Sequence, residues 1–349
     1  MVRPELRTPP KPTPGARVAV VSPSWAGPGA FPEVHQLAMR RLRDEIGVEP
    51  IEYPTTARLG ASAQQRAADL VAAFSDPSIG AVLATIGGDD QLTVLPFLDV
   101  EAIAANPKPY FGYSDNTNLL NWLWNLGIVS YHGGSTMVHL GRGGRTHPVS
   151  VGSLRSALFT TDEVELAPVD AFAEDPIGWD TPQALTDEPP MRPSEGWFWH
   201  NASAAVEGPT WGGNLEVLHW NLAAGRWIRP AEDYAGCILI LETSEEMPPA
   251  TEVFRMLRNL GERGVLEQVA AVVVGRPKAS HFPAASADAE RRTYVSEQRD
   301  AVLRALDAYA PDVMAVFGPD IGHTDPQWIV PYGGSMRIDG EARTIHVRY

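Results

Sequence analysis

A serine at a predicted junction between a strand and a helix is the strongest candidate nucleophile. Residues 112–116 read Gly-Tyr-Ser-Asp-Asn, and a tight turn there would raise the hydroxyl of Ser114 above the sheet. The following helix would direct backbone N–H groups and its positive dipole end toward a developing oxyanion. The segment lacks the second glycine of the G-x-S-x-G turn, so the alternative is that Ser114 or Asp115 only caps the helix.

Serine catalysis also needs a histidine to take the proton and a carboxylate to orient the imidazole. Glu242 directly follows the apolar run 237–241, at a predicted strand end where an α/β sheet delivers side chains to a cleft. The alternative is a solvated acidic loop, which we expect for Glu245 and Glu246. His323 lies among turn-forming residues after an apolar segment, although loop histidines are often inert.

The other histidines and glycine turns suggest less. No histidine has a partner at the spacing of a metal site, so we predict neither a metal nor another cofactor. Residues 132–134, His-Gly-Gly, resemble the oxyanion motif of esterases but follow the serine instead of preceding it, which favours a packed strand end. Residues 87–90, Gly-Gly-Asp-Asp, could cradle a phosphate as in some nucleotide kinases, but no lysine is near.

Around these residues, short apolar runs alternate with helical patterns, which is typical of a doubly wound α/β domain. Strands are predicted at 16–22, 79–86, 108–113 and 128–132, and helices at 31–46, 63–74 and 116–126, with further helical turns between 92 and 105. Residues 166–204 are rich in proline, acid and tryptophan and indicate a connection. The second domain is then mixed, with strands at 237–241 and 269–274, a helix at 251–260 and a hairpin at 336–349.

Composition restricts the function classes. A chain of 349 residues with 44% hydrophobic residues predicts two globular domains around a cleft. Its net charge of -15 opposes binding to nucleic acid or to an anionic membrane surface. The first 14 residues lack a secretory signal and no apolar run could span a bilayer, so we expect a cytoplasmic protein. The single cysteine, Cys237, lies in an apolar run and should be buried.

Several segments together resemble the serine LD-carboxypeptidase family over residues 17–334. The resemblance rests on five segments that occur in the family's order: 87–90 Gly-Gly-Asp-Asp, 107–117 around Gly-Tyr-Ser-Asp-Asn-Thr, 212–215 Gly-Gly-Asn-Leu, 241–245 Leu-Glu-Thr-Ser-Glu and 322–324 Gly-His-Thr. Within the family, 242–245 and 258–261 (Arg-Asn-Leu-Gly) are most similar to the microcin C self-immunity branch. Murein-recycling enzymes typically have E-D-x-G-E at the glutamate segment, which this chain lacks.

The resemblance implies a fold and a mechanism. It implies a Rossmann-like N-terminal domain (15–165), a connecting segment (166–204), a C-terminal domain around a small β-barrel (205–349), and a homodimer without a cofactor. It also implies a triad of Ser114, Glu242 and His323, with backbone N–H groups near Gly88 and Asp115 binding the oxyanion. Two substrate classes remain open: an aminoacyl nucleotide and a murein tetrapeptide that loses its terminal D-alanine.

Substrate contacts are predicted at four further residues. Trp197 and Trp199 could stack on a nucleobase or, alternatively, cover the domain interface. Arg276 could bind a carboxylate or phosphate, and Asn214 is expected near the cleft. Two alternative functions of other classes remain: a kinase-like protein that uses the turn at 87–90, and a hinge-closing small-molecule binding protein.

Overall fold

Two large β-sheets, one two-stranded sheet (β7-β8) and ten α-helices make up the computed structural model, which describes residues 3–175, 177–281 and 284–349. The strands, in chain order, are β1 Arg17–Val21, β2 Glu49–Glu52, β3 Ile79–Ala84, β4 Tyr110–Gly112, β5 Ser130–His132, β6 Glu163–Leu166, β7 Ala171–Phe172, β8 Arg192–Pro193, β9 Phe198–His200, β10 Ala205–Asn214, β11 Ile238–Glu242, β12 Ala271–Val274, β13 Met314–Phe317, β14 Val330–Tyr332, β15 Ser335–Asp339 and β16 Thr344–Arg348. The helices are α1 Gly27–Ala30, α2 Pro32–Arg41, α3 Ala63–Ser75, α4 Val100–Ala105, α5 Thr117–Asn125, α6 Pro148–Phe159, α7 Gln183–Thr186, α8 Leu215–Ala224, α9 Ala250–Glu262 and α10 Asp288–Tyr309.

The first sheet has the order β14-β5-β4-β3-β1-β2. Strands β1 to β5 are mutually parallel, and only β14 runs antiparallel to its neighbour. The side chains of β1, β3, β4 and β5 are mostly buried on both faces, as expected for inner strands of a parallel sheet, whereas the edge strand β2 is partly exposed. The predicted α/β class and all four predicted strands of this region are confirmed, with strand ends shifted by at most two residues.

Local signals in the sequence also located the helices of this region. The helix predicted at 31–46 is α2 followed by a π-helical turn, and it ends at Gly47, whose φ of +85° is left-handed. Ser62 caps α3 and Gln65 returns the hydrogen bond, which forms a capping box. Between 92 and 105 the chain makes two short 3₁₀ turns before α4, so the helical tendency there is more broken than predicted.

The second sheet has eight strands in the order β6-β16-β15-β10-β11-β12-β13-β9. Its centre, β10 to β13, is parallel, and the flanking strands are antiparallel. The expectation of a small β-barrel is corrected here: among the described residues, β6 and β9 are separate edges and the sheet is open. The reason is that β9 pairs with β13 and takes the position through which that side of the sheet would have to close.

Residues 166–204 are more structured than the predicted connection. They contain β7, β8, α7 and β9, and β9 extends the second sheet by antiparallel pairing with Ala315–Phe317 of β13. These elements have two to four residues each, too few to show a hydrophobic period in the sequence.

The two halves of the chain exchange strands. β14 follows most of the second sheet in the chain but pairs with β5 of the first, while β6 follows α6 and pairs with β16 of the second. One continuous hydrophobic core includes Trp124, Trp211 and Tyr234, whose rings contact each other. The loop between β13 and β14 therefore crosses from one sheet to the other.

Two simpler expectations concern single features. Cys237 is fully buried, as predicted, at the start of β11. In the part of the chain that the structure describes, no helix combines the length and the hydropathy that crossing a membrane would require.

Candidate active site

Ser114 occupies a strained turn between β4 and α5. Its φ is +60°, in the left-handed region that few residues other than glycine adopt. A 3₁₀ turn, Ser114–Asn116, leads from it into α5. No side-chain cap of α5 is found among the described residues, so the alternative role of Ser114 or Asp115 as a helix cap finds no support. Such strain persists only where the surroundings enforce it.

The two residues after Ser114 enforce this turn. The Asn116 side chain donates to the carbonyls of Ile86 (3.1 Å) and Tyr113 (3.0 Å) and accepts from the Tyr110 hydroxyl (2.7 Å). The buried Asp115 carboxylate accepts from Asn118 (2.8 Å), from the backbone N–H of Gln91 (2.9 Å) and from the Ser24 hydroxyl. The turn is thereby tied to the neighbouring loop 86–91.

Residues 87–90 pack against the serine. A Cβ at Gly87 would lie 3.0 Å from Cβ and 3.1 Å from Oγ of Ser114, so glycine permits this close approach. Asp90 forms a two-pronged ion pair with Arg66, at 2.7 and 2.8 Å. The turn at 87–90, the alternative phosphate site, therefore packs against Ser114, and its Asp90 carboxylate is bound by Arg66.

Glu242 is the last residue of β11 and is 1% exposed. It lies beside Asn214, its register partner at the end of β10. Gly275 and Gly322 flank it closely: a Cβ on either would come within 3.1 or 2.9 Å of the Glu242 Cβ. Burial acts to raise the pKa of Glu242, but His323 holds it below its ordinary value.

His323 binds Glu242 through one ring nitrogen, since its Nδ1 lies 2.5 Å from Oε2 of the carboxylate. Burial acts to lower the pKa of this imidazole, but neighbouring carboxylates outweigh it and raise the pKa to about 9. The largest of these contributions comes from Glu242, and smaller ones come from Glu245 and Glu216. The Tyr113 ring, next to the serine, lies edge-on to the imidazole with centroids 5.0 Å apart.

The His323 loop is seated on the end of β5. Gln327 donates to the carbonyl of Gly322 (3.0 Å) and accepts from the N–H of Gly134 (3.1 Å). The His132 ring, through Nε2, donates to the carbonyl of Ile321 at 3.0 Å. The prediction of a packed strand end at 132–134 is confirmed, and the packing partner is the histidine loop.

Ser114, His323 and Glu245 line one cavity of about 810 Å³. Seven acidic side chains line it: Asp89, Glu174, Asp175, Asp180, Asp187, Glu245 and Asp325. Some are already paired, since Asp325 binds Arg142 at 2.6 Å and Asp175 binds Arg291 at 2.8 Å. Lys278 also lines the cavity, and within the described residues its ammonium has no hydrogen bond or ion pair. Burial lowers its pKa.

An aromatic cluster at the cavity was missed by sequence reasoning. Phe31 contacts Trp25 and Trp179 edge-on, with ring centroids 6.1 and 5.5 Å away. All three line the cavity, and Trp25 is 39% exposed. In the sequence, the density of tryptophan in 166–204 points only to Trp179 of this cluster, and the predicted stacking residues of that segment were Trp197 and Trp199 instead. Lys278 gave no signal, because a lone lysine after a strand is common.

None of the four predicted substrate contacts is among the described residues that line the cavity. Trp197 and Trp199 lie on or beside β9, pack against each other and face the hydrophobic core. Arg276 pairs with the buried Asp320 at 2.9 Å and covers the ring of Phe172. The Asn214 side chain accepts from the N–H of Val217 and caps α8, although its residue borders Glu242.

Two family matches cover most of the chain. Residues 18–133 match the LD-carboxypeptidase N-terminal domain, and residues 207–338 match the LD-carboxypeptidase C-terminal domain. Ser114 falls within the first match, and Glu242 and His323 fall within the second.

Three known proteins are similar over most of their length. The microcin C7 self-immunity protein MccF of Escherichia coli is 27% identical over 292 residues, covering 81% of this chain and 78% of that protein. A Bacillus subtilis protein named "Probable murein peptide carboxypeptidase" is also 27% identical, over 80% of this chain and 75% of its own. The crystal structure of an MccF-like protein from Streptococcus pneumoniae in complex with AMP has a TM-score of 0.84 at 27% identity, covering 96% and 99% of the two chains. MccF in complex with aspartyl sulfamoyl adenosine shares the fold, with a TM-score of 0.82 at 22% identity and 98% coverage of each chain.

Proposed function

Since the chain belongs to the LD-carboxypeptidase family of serine peptidases, we propose that it hydrolyses the amide-type bond of an aminoacyl nucleotide, with Ser114 as nucleophile. His323 is the general base and Glu242 orients and stabilises its imidazolium. The observation that carries the proposal is that one cavity is lined both by a serine in a left-handed turn and by an imidazole whose Nδ1 is bound by a buried carboxylate at 2.5 Å.

The chemistry follows that of other serine acyl transfers. His323 Nε2 takes the proton of Ser114 as Oγ attacks the carbonyl carbon, and the backbone N–H groups of Gly88 and Asp115 bind the oxyanion. The C–N bond then breaks and His323 protonates the leaving nitrogen. Water adds to the acyl-enzyme by the same route, which releases the amino acid and regenerates the serine.

The mouth of the cavity supports the nucleotide part of the substrate. Phe31, Trp25 and Trp179 expose aromatic faces on which a nucleobase can stack. Lys278 is a partly desolvated cation that an anionic phosphoryl or sulfamoyl linker can neutralise. The AMP bound by the Streptococcus pneumoniae relative agrees with this assignment. Cleavage of such a compound would protect a cell against an aminoacyl-nucleotide antibiotic, and the Escherichia coli relative is named as a self-immunity protein for microcin C7.

A paired hydrolysis assay tests the proposal. The purified chain is incubated with aspartyl sulfamoyl adenosine or with a murein L,D-tetrapeptide, and released aspartate or D-alanine is measured. We expect turnover of the adenosine compound, and a loss of about a millionfold in kcat for Ser114→Ala, because the nucleophile acts as a unit with its base.

The remaining outcomes are each decisive. Turnover of the tetrapeptide alone would replace the nucleotide substrate by a murein peptide, in line with the Bacillus subtilis relative. Full activity of the Ser114→Ala variant would remove the serine mechanism. Calorimetric binding of the adenosine compound without any hydrolysis would favour a small-molecule binding protein.

A further inference from the structure

A second carboxylate occupies the ring nitrogen that the mechanism needs. Nε2 of His323 lies 3.2 Å from Oε2 of Glu245, while Nδ1 lies 2.5 Å from Glu242. A neutral imidazole has one N–H donor, so it can donate to only one carboxylate. Carboxylates beside both nitrogens therefore favour the imidazolium form of the ring, which cannot accept a proton from Ser114.

We propose that Glu245 is a positioning residue that restrains the base: its carboxylate occupies Nε2 of His323 in the resting enzyme and must leave before Ser114 can be deprotonated. The inference rests on the proposed function, because it assigns a state to the base of that mechanism. The proposal gives the two carboxylates of the segment 242–245 different roles: Glu242 stays bound to His323 throughout the reaction, whereas Glu245 leaves it.

Burial supports this division. The Glu242 side chain is 1% exposed and cannot move without disturbing the packing around it, whereas the Glu245 side chain is 60% exposed. Lys278 lines the same cavity and interacts electrostatically with Glu245. Because more than half of its side chain is exposed, Glu245 can rotate away from His323 into water, so release of Nε2 does not leave an unpaired buried charge.

Other ionisable groups around the imidazole cannot act in the same way. Burial raises the pKa of Tyr113 and lowers the pKa of His132, so both favour their neutral forms. The buried Glu216 carboxylate is held by Ser244, whose backbone N–H and hydroxyl donate to it at 2.9 and 2.7 Å. Asp325, which also lines the cavity, is held by Arg142 at 2.6 Å. Among these groups Glu245 is the exposed carboxylate in contact with Nε2.

The test combines a proton titration with kinetics on the whole chain. Histidine NMR signals are followed against pH in Glu245→Gln, with Glu246→Gln as the matched control, and His323→Asn assigns the signal. Glu246 is exposed, and no ion pair of its carboxylate is found within the described residues. We expect Glu245→Gln to lower the pKa of His323 from about 9 to about 8, since an opposite charge at this distance shifts a pKa by about one or more.

Most substitutions in an active site lower activity, but Glu245→Gln should raise kcat/KM at pH 7. The base is competent only when neutral, so kcat/KM rises as pH passes upward through the pKa of His323. Lowering that pKa by about one moves the acid limb to lower pH and raises kcat/KM at pH 7 by about tenfold. Glu246→Gln should leave both the titration and the pH profile unchanged.

The failures can be told apart. Equal His323 titrations in the two glutamine variants would overturn the restraint, and so would a lowered pKa without a rise in kcat/KM at pH 7. Undiminished turnover by the His323→Asn variant would overturn the proposed function itself, and with it the restraint.

Discussion

Glu242 and Glu245 are three residues apart, yet the structure treats them differently: the first is 1% exposed at the end of β11 and the second is 60% exposed at the cavity. The same contrast divides the whole site. Its floor, defined by Ser114, Glu242 and His323, is fixed by contacts from both sheets. Its mouth, defined by the aromatic cluster with Glu245 and Lys278, is more exposed, since Trp25 is 39% exposed and the Glu245 side chain is 60% exposed. Rigid floors suit bond-making chemistry, and freer mouths suit selection among substrates.

After loss of Ser114, loss of the Glu242 charge from the floor should have the largest effect on kcat. Glu242→Gln keeps the size of the side chain but removes the charge that stabilises the imidazolium and selects its tautomer. We expect kcat to fall by about ten-thousandfold, by analogy with the aspartate-to-asparagine change in a serine protease triad. The measurement is kcat for the adenosine compound across pH.

The control for this variant is the neighbouring change Glu246→Gln, which removes the same charge from an exposed position. Similar losses in both variants would mean that general acidity, and not the floor, supports catalysis. A decrease of less than tenfold for Glu242→Gln would contradict a triad role.

The floor was predictable because its residues follow elements with strong local signals. Ser114 and Glu242 each come directly after a short apolar run, and parallel strands deliver such residues to one edge of a sheet. Glycines at 87, 275 and 322 mark places where backbones must approach these side chains. His323 needed the resemblance as well, because a turn-rich loop gives no direction on its own.

The mouth and the strand exchange were not predictable from local patterns. Trp179 comes from an aperiodic segment, and nothing in the sequence distinguishes it from Trp197, which the pairing of β9 with β13 keeps away from the cavity. The placement of β14 in the first sheet depends on the long-range pairing of Val330 with His132. Such contacts are decided by tertiary packing and not by hydrophobic period.

Removal of an aromatic face from the mouth should affect binding and spare the chemistry. Trp179→Ala should raise KM for the adenosine compound by about tenfold to a hundredfold, because stacking on a base contributes about 1–3 kcal/mol. We expect kcat to stay within about threefold, since floor residues do not depend on this ring. Trp220→Ala is the control, as Trp220 is 41% exposed on α8 and outside the cavity lining. An equal rise in KM for both variants would indicate a general loss of structure.

The smallest expected effect on kinetics belongs to Lys278, whose proposed partner is a charge on the substrate. Lys278→Met should raise KM by about tenfold, the value of one charge-assisted contact, while Lys278→Arg keeps the charge and should stay near the parent chain. Added salt screens exposed charges, so the difference between the methionine variant and the parent should shrink as ionic strength rises. A fall in kcat with unchanged KM would contradict the division of the site into floor and mouth. Lys278 would then act on bond-making, through Glu245 and the base, and not on capture of the anionic linker.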